Sequence, residues 1–289
     1  MTGIVMNNLP FILLIGVAAA AFGILAFMKK RFQERSNGMK RAIRILDGMV
    51  NLMIIICFLP VLLYGIYGIW DSRHIYHEAE NAQFQKYKPD LEQGLSFEML
   101  QKINPEVFGW LTVEDTHIDY PLVQAEGNSK YVNTNVKGEF SLSGSIFLDC
   151  RNQKDFSDCN HVIYGHHMQE NSMFGELENF QDQSYFDKHR SGEIYYDGAW
   201  HKIEFFAFVP SDAYDPVLYN TELLAKDSDI YLDYVRTHAE RYRELDFGNR
   251  ERFVALSTCT SESSDGRHIL VGRITNQIRN AMGDKRYGD

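Results

Sequence analysis

Two long apolar stretches without charged residues most strongly limit what this chain can fold into. The first runs from Leu9 to Met28, over 20 residues, and the second from Gly48 to Trp70, over 23 residues. Each is long enough to cross a hydrocarbon core about 30 Å thick, and helices buried in a globular protein rarely run this far without a charge. We therefore predict two transmembrane helices rather than two buried ones, followed by about 220 residues for a folded domain.

The connector between the two stretches, residues 29–47, is strongly basic. Only Glu34 and Asp47 oppose its seven basic residues, which are Lys29, Lys30, Arg31, Arg35, Lys40, Arg41 and Arg44. Because basic loops remain in the cytoplasm, we expect residues 1–70 to form a membrane anchor with both chain ends outside the cell. No basic segment precedes the first stretch, which argues against a cleaved signal peptide.

The rest of the chain is acidic. From Gly48 onward it holds 22 of the 29 basic and 37 of the 39 acidic residues, a net charge of −15. This exterior disfavours nucleic acid as a partner, because phosphate binding requires a basic surface.

Beyond the anchor, a short helical segment precedes a region rich in strands. We assign residues 71–100 to a helical juxtamembrane region. Its first part, Asp71 to about Lys88, is charged and aromatic without the alternation of a strand, which fits a helix or a linker. A helix with one apolar face is expected from about Ser96 and stops near Asn104, before Pro105. From Gly109 to Val209, short apolar runs alternate with Gly, Asn, Asp and Pro, which is typical of an antiparallel barrel or sandwich.

Two further elements are predicted within residues 101–289, which we assign to one domain of mixed, mainly β structure. Asp197-Gly198 lies between two strand-like runs, and this dipeptide favours a tight hairpin turn. Residues Thr221 to Glu244 carry apolar side chains roughly on one side of a helix. One helix is therefore expected before the last strands.

The last strands bring two reactive side chains to one end of a sheet. The apolar runs Phe253–Cys259 and His268–Ile274 are joined by a polar loop, which predicts an antiparallel pair. The thiol of Cys259 at the exit of one strand and the guanidinium of Arg267 at the entry of the next then lie at the same end. His166 follows another strand where that strand breaks at a glycine.

The cysteines differ in their surroundings. A free cysteine is among the commonest buried residues, so Cys259 alone would be structural. However, hydroxyl side chains flank it and Arg267 is near, and a neighbouring cation favours the thiolate. We therefore predict that Cys259 is a nucleophile. Cys150 and Cys159 flank a polar loop and are interpreted as unbridged thiols, with a bridge between them as the alternative.

Six segments, in one order along the chain, carry a family resemblance. They are Gly109–Leu111, Ile118–Gln124, Gly144–Asp149, Val162–Met168, Ser172–Leu177 and Leu256–Thr260. Together they span roughly residues 100–275 and are similar to the class B sortases of Gram-positive bacteria. Two positions depart from the family, which usually has Thr in place of Ala255 and Asn in place of His167.

The resemblance implies a fold and a reaction. The fold is an eight-stranded β-barrel with N-terminal helices and one helix before the last strands, here preceded by two transmembrane helices where many sortases have one. The reaction is transpeptidation: Cys259 attacks the C-terminal sorting motif of a secreted protein, His166 protonates the departing amine, and Arg267 hydrogen-bonds either the substrate backbone or the oxyanion. The thioacyl-enzyme then passes the protein to an amine of the peptidoglycan precursor or of a pilin.

The same resemblance implies no cofactor, and a location in the cell membrane with the catalytic domain on the extracellular face. The neighbouring histidines of His166 raise the possibility of a metal, but the chain has no His-Glu-x-x-His helix and no Cys-x-x-Cys pair, so we expect none. The resemblance selects His166 over His167, and Arg267 over Arg273. Ser257 and Thr258 are either substrate contacts or residues that finish a strand, and alternation turns one of the two away from the cleft.

Two other functions are compatible with the same residues. An exported cysteine endopeptidase would use the same site but would only hydrolyse its substrate. A non-catalytic surface-binding module would carry Cys259 as an inert thiol. An added amine that competes with water distinguishes the first, and slow thiol labelling would indicate the second.

Overall fold

The computed structural model describes residues 22–29, 37–89, 95–169, 171–248, 250–259 and 265–280. The chain divides into two compact units, with the boundary between Arg73 and His74.

The first unit is helical where it is described. Residues 22–29 form a helical piece, and helix α1 spans Asn37–Ala79 with Pro60 inside it. Within α1, Met39–Arg73 is long and apolar enough to cross a membrane. This stretch contains the second predicted span. Most of the first predicted span, residues 9–21, lies outside the described residues.

The second unit holds all of the described strands and three further α-helices. The helices are α2 (Leu95–Ile103), α3 (Gln183–Lys188) and α4 (Ser228–His238). The strands are β1 (Val107–Val113), β2 (Asp119–Val123), β3 (Ile146–Leu148), β4 (Asn160–Tyr164), β5 (Ser191–Tyr196), β6 (Ala199–Asp212), β7 (Arg241–Tyr242), β8 (Phe253–Cys259) and β9 (Gly266–Asn280). Short 3-10 turns connect them, the longest being Gly175–Gln181.

Eight of the strands close into a barrel. Their order is β5-β1-β2-β3-β4-β8-β9-β6, and pairing of β5 with β6 completes the circle, while β7 extends β6 outside it. Two neighbouring pairs are parallel, β2 with β3 and β4 with β8. The expected eight-stranded barrel with N-terminal helices is therefore confirmed.

Both faces of β8 are buried, and they belong to different parts of the core. Val254 and Leu256 contribute to the main core cluster. Phe253 and Ala255 contribute to a second cluster that includes Tyr231 of α4. Side chains alternate along a strand, so the strand is covered on both sides up to the point where its reactive residue emerges.

Local patterns predicted some elements well and one element poorly. Asp197 and Gly198 both have positive φ, at 49° and 77°, as a tight hairpin turn between β5 and β6 requires. The helix predicted from about Ser96 to Asn104 is α2. The helix predicted over 221–244 is wrong in extent, because α4 covers only Ser228–His238. Leu224 is extended and β7 pairs with β6, so tertiary pairing outweighs helical periodicity at both ends.

Candidate active site

Cys259 and Arg267 stand opposite each other at one end of the β8–β9 hairpin. They are partners in the antiparallel register, which continues from Cys259 and Arg267 to Phe253 and Arg273. Both side chains are partly exposed. The Arg267 Nη1 atom donates to the carbonyl of Gly266 at 2.8 Å. The strand register therefore brings the thiol and the guanidinium to one end of the sheet, as predicted.

Arg273 lies at the other end of the same hairpin. It is six residues from Arg267, or about 20 Å along a strand. Its Nε and Nη2 atoms each lie 2.8 Å from Glu204 Oε2, and its Nη1 lies 3.6 Å from Glu251 Oε1. Arg273 thus forms ion pairs with two carboxylates, at the end of the hairpin away from Cys259.

His166 follows a strand that runs beside β8 in the same direction. Tyr164 at the end of β4 pairs with Ser257 of β8. His166 and Cys259 each lie two residues beyond that pair. Parallel neighbours are about 4.8 Å apart, so the two residues leave the barrel at adjacent positions on the same edge.

Two glycines allow the chain around His166 to pack closely against its neighbours. A Cβ at Gly165 would lie 2.5 Å from Ile146 Cδ1 and 2.7 Å from Phe174 Cδ2, and a Cβ at Gly175 would lie 1.7 Å from the carbonyl oxygen of Met168. The Phe174 amide also donates to the carbonyl of His166 at 2.9 Å. These contacts explain why the sequence has glycine immediately before His166 and immediately after Phe174.

The hydrogen bond of His166 defines its tautomer. The Nε2 atom lies 2.7 Å from the carbonyl oxygen of Val132. A carbonyl only accepts, so Nε2 carries the proton and Nδ1 keeps its lone pair. Burial lowers the pKa of His166, and the bond to Val132 offsets part of that effect. At neutral pH the ring is therefore mainly neutral, with Nδ1 able to accept a proton.

The two neighbouring histidines have other contacts. His167 Nε2 lies 2.8 Å from Glu178 Oε2. His161 is fully buried in β4, its Nδ1 lies 3.0 Å from the Phe253 carbonyl oxygen, and burial lowers its pKa to about 4. Within the described part of the chain, no three His, Cys, Asp or Glu side chains are close enough together to hold a metal ion.

Ser257 and Thr258 occupy opposite faces of β8. Ser257 and Cys259 are two residues apart and so lie on the same face of the strand, and the Ser257 Oγ lies 2.8 Å from the hydroxyl of Tyr219. Thr258 lies on the same face as Leu256 of the main core, and both Ser257 and Thr258 are buried. The Thr258 Oγ1 has no hydrogen-bond partner among the described residues. Ser257 is therefore the one of the two that shares the face of Cys259.

Tyr219 also belongs to the site, although no sequence motif predicts it. Its ring stacks on Tyr164 with centroids 6.1 Å apart, and its hydroxyl bonds to Ser257. Burial raises the pKa of Tyr219 to about 12, while Ser257 and the charge of Arg267 oppose that rise. Tyr219 lies in an irregular segment before α4, where no local pattern distinguishes it from the other tyrosines of the chain.

The other cysteines are free thiols, and Cys159 has no reactive setting. Cys57, Cys150 and Cys159 are free thiols, as is Cys259. Cys159 is buried, its Sγ lies 3.5 Å from the carbonyl oxygen of Glu251, and burial raises its pKa to about 11. A thiol with a raised pKa is a poor nucleophile at neutral pH. Cys150 and Cys159 are unbridged, as predicted by default.

Two known proteins similar to this chain are both called sortase B. No family model matches the chain. Sortase B of Listeria monocytogenes is 34% identical over 178 residues, which cover 61% of this chain and 72% of that protein. Sortase B of Staphylococcus aureus is 26% identical over 238 residues, covering 78% of this chain and 98% of that protein.

Solved structures agree with these relatives. A Streptococcus pyogenes class B sortase involved in pilus biogenesis is 45% identical, with a TM-score of 0.58, and covers 63% of this chain and 100% of its own. Sortase B from the type II pilus of Streptococcus pneumoniae is 41% identical, with a TM-score of 0.55, and covers 63% of this chain and 99% of its own.

Proposed function

This chain belongs to the class B sortase family of cysteine transpeptidases, and from that premise we propose that Cys259, His166 and Arg267 join a secreted protein to an amine at the cell surface. One observation carries the residue assignment. Cys259 and His166 lie two residues beyond the paired Ser257 and Tyr164 on parallel strands, and Arg267 is the register partner of Cys259.

The first half-reaction forms a thioester. His166 Nδ1 accepts the Cys259 proton, and the thiolate attacks the carbonyl of the scissile peptide. The guanidinium of Arg267 offers a planar set of donors to the oxyanion that develops there. His166 then gives the proton to the departing amine, the C–N bond breaks, and the protein remains as a thioester on Cys259.

The second half-reaction transfers the protein to a new amine. The amine attacks the thioester carbonyl and loses its proton to His166, and the Cys259 thiolate departs. A new amide forms, and no oxidant, metal or cofactor is consumed. Transfer requires that the amine reach the thioester before water does.

A pilin amine is the acceptor to test first. The structural relatives described above as pilus-associated are 45% and 41% identical to this chain, whereas the solved complex of Staphylococcus aureus sortase B with its substrate is 26% identical. The substrate class is a secreted protein with a C-terminal sorting motif. An amine of the peptidoglycan precursor is the second acceptor.

The membrane topology follows from charge. We propose that residues 1–70 anchor the enzyme through two spans, with 29–47 in the cytoplasm and residues 101–289 outside the cell, where exported proteins arrive. The apolar length of α1 supports the second span. Cysteine accessibility mapping tests this arrangement, because labelling of residues 29–44 from outside the cell would contradict it.

The function is tested with the full chain in detergent. Quenched peptides carrying a library of C-terminal sorting motifs are supplied with and without a lysine-containing pilin peptide or diaminopimelate. An amine-ligated product that depends on Cys259 supports the transpeptidase. Hydrolysis that no amine diverts would favour the endopeptidase. No turnover, together with slow labelling of Cys259, would favour the binding module.

A further inference from the structure

A fully buried carboxylate lies behind the wall of the site. Asp149 follows β3 and is 0% exposed. Its oxygens accept from the Arg151 amide at 2.9 Å, Arg151 Nε at 2.9 Å, Arg151 Nη2 at 2.8 Å, Asn128 Nδ2 at 3.0 Å and the Tyr164 hydroxyl at 2.9 Å. The acceptor capacity of a carboxylate is about four lone pairs, so this one is saturated.

The donors keep the carboxylate charged. Burial alone would raise the pKa of Asp149, but hydrogen bonds from Arg151 and Tyr164 and the charge of Arg151 hold it below its usual value. A buried carboxylate that loses a hydrogen-bond donor is destabilised, because no water is there to replace the donor. The position of the Tyr164 hydroxyl is therefore tightly constrained.

The same network reaches both strands that carry the proposed catalytic residues. Tyr164 ends β4, two residues before His166, and stacks on Tyr219. Tyr219 bonds to Ser257, two residues before Cys259. Arg151 Nη2 also lies 3.4 Å from the carbonyl oxygen of Tyr219. These contacts link Asp149 to Tyr164, Tyr164 to Tyr219, and Tyr219 to Ser257 of β8. Arg151 also joins Asp149 directly to Tyr219.

We propose that Asp149, held by Arg151, is a positioning residue that acts through Tyr164 to fix the spacing between His166 and Cys259. The proposal rests on the function proposed above. Asp149 itself touches no reacting atom, since Tyr164, Tyr219 and Ser257 lie between it and Cys259. Small displacements of catalytic groups can cost about 100-fold in rate, so a change at Asp149 lowers kcat and leaves KM nearly unchanged.

Three variants of the full chain test the proposal. Asp149→Asn places an amide against the donors and is expected to lower kcat about 100-fold. Tyr164→Phe keeps the stacked ring but removes the link to Asp149, and is expected to lower kcat about 10-fold. Asp158→Asn is the matched control: it lies in the same β3–β4 connection and accepts from Asn152 and the Gln153 amide, at 2.9 and 2.7 Å. Its kcat should remain within about twofold of wild type.

The double variant Asp149→Asn/Tyr164→Phe separates positioning from general stability. If Asp149 acts through Tyr164, the double variant is no slower than Asp149→Asn, because residues in one network are not additive. Multiplicative losses, an unchanged kcat in Tyr164→Phe, or an equal loss in Asp158→Asn would overturn the proposal. If Asp149→Asn does not fold, the kcat and KM of Tyr164→Phe decide the question.

A substrate-free measurement keeps this test separate from the proposed function. Alkylation of Cys259 by iodoacetamide, followed by peptide mass spectrometry, reports how well the thiolate is held beside His166 and Arg267. The rate should fall at least about threefold in Asp149→Asn and Tyr164→Phe, and not in Asp158→Asn. An unchanged rate in both variants would contradict positioning even if no peptide were turned over, whereas a failure of wild type to ligate would contradict the function alone.

Discussion

The two ends of the β8–β9 hairpin carry similar residues in different surroundings. At one end Arg267 is paired in register with Cys259, and at the other Arg273 is paired with Phe253. Arg273 contacts Glu204 and Glu251, so its charge is neutralised within the fold. Arg267 lies beside the thiol on a partly exposed edge. The role of an arginine on β9 therefore depends on which side chains lie beside it on the neighbouring strands.

The largest difference in activity is expected between substitutions of the adjacent residues His166 and His167. His166→Ala removes the group that exchanges protons with Cys259 and the leaving amine, and kcat/KM should fall about 10³-fold. His167→Ala removes only the side-chain contact with Glu178 and should leave kcat/KM within about fivefold of wild type, since one hydrogen bond contributes about 1 kcal/mol. Both rates are measured by peptide cleavage. Equal losses in the two variants would contradict the assignment of His166.

The two arginines test the hairpin comparison directly. Arg267→Lys keeps the charge but loses the planar fork, and we expect kcat to fall about 100-fold with little change in thermal stability. Arg273→Lys weakens the contacts with Glu204 and Glu251, and we expect it to lower the melting temperature by a few degrees while kcat stays within about threefold. Parallel kinetics and calorimetry decide the matter. The reverse result would indicate that Arg273, and not Arg267, is the catalytic arginine.

The two faces of β8 give a smaller contrast. Ser257→Ala leaves the Tyr219 hydroxyl without its partner, and we expect kcat/KM to fall about 10-fold and stability by about 1–3 kcal/mol. Thr258→Val replaces a buried hydroxyl that has no partner among the described residues, and we expect unchanged kcat and a stability gain of about 1 kcal/mol. Chemical denaturation with matched kinetics checks both. Loss of activity in Thr258→Val alone would show that the wrong face was assigned.

Away from the reactive edge, His161 should affect stability and not the reaction. Burial lowers the pKa of His161 from 6.5 to about 4, so the folded state keeps the ring neutral while the unfolded chain takes up a proton below pH 6.5. The stability due to the neutral ring is present above pH 6.5 and is lost as the pH falls to about 4, by up to roughly 3 kcal/mol. His161→Phe should flatten this part of the stability profile. An unchanged slope in the variant would contradict the assignment.

Sequence and structure agree where local patterns determine the geometry. The runs Phe253–Cys259 and His268–Ile274 read as an antiparallel pair, and that pairing alone brings Cys259 and Arg267 together. The closed order of the barrel came from the family resemblance, since strand patterns do not specify which strands pair. Helical periodicity overestimates the length of α4, because it carries no information about the competing pairing of β7 with β6.

The supporting network could not be predicted from local patterns. Asp149 and Tyr164 lie in segments that carry the family resemblance, but the resemblance implies no role for either residue. Arg151 and Tyr219 meet across 68 residues of sequence. Such contacts depend on how the segment before α4 folds over β8, which no periodicity encodes.

The central claim is that the Cys259 end of the hairpin transfers an acyl group to an amine. The most direct measurement is mass spectrometry of the product when the full chain acts on a sorting-motif peptide in the presence of an increasing concentration of the lysine-containing acceptor. The account predicts that the ligated product rises at the expense of the hydrolysed one, and that both disappear in Cys259→Ala. Ligation that persists in Cys259→Ala, or hydrolysis that no concentration of amine diverts, would contradict it.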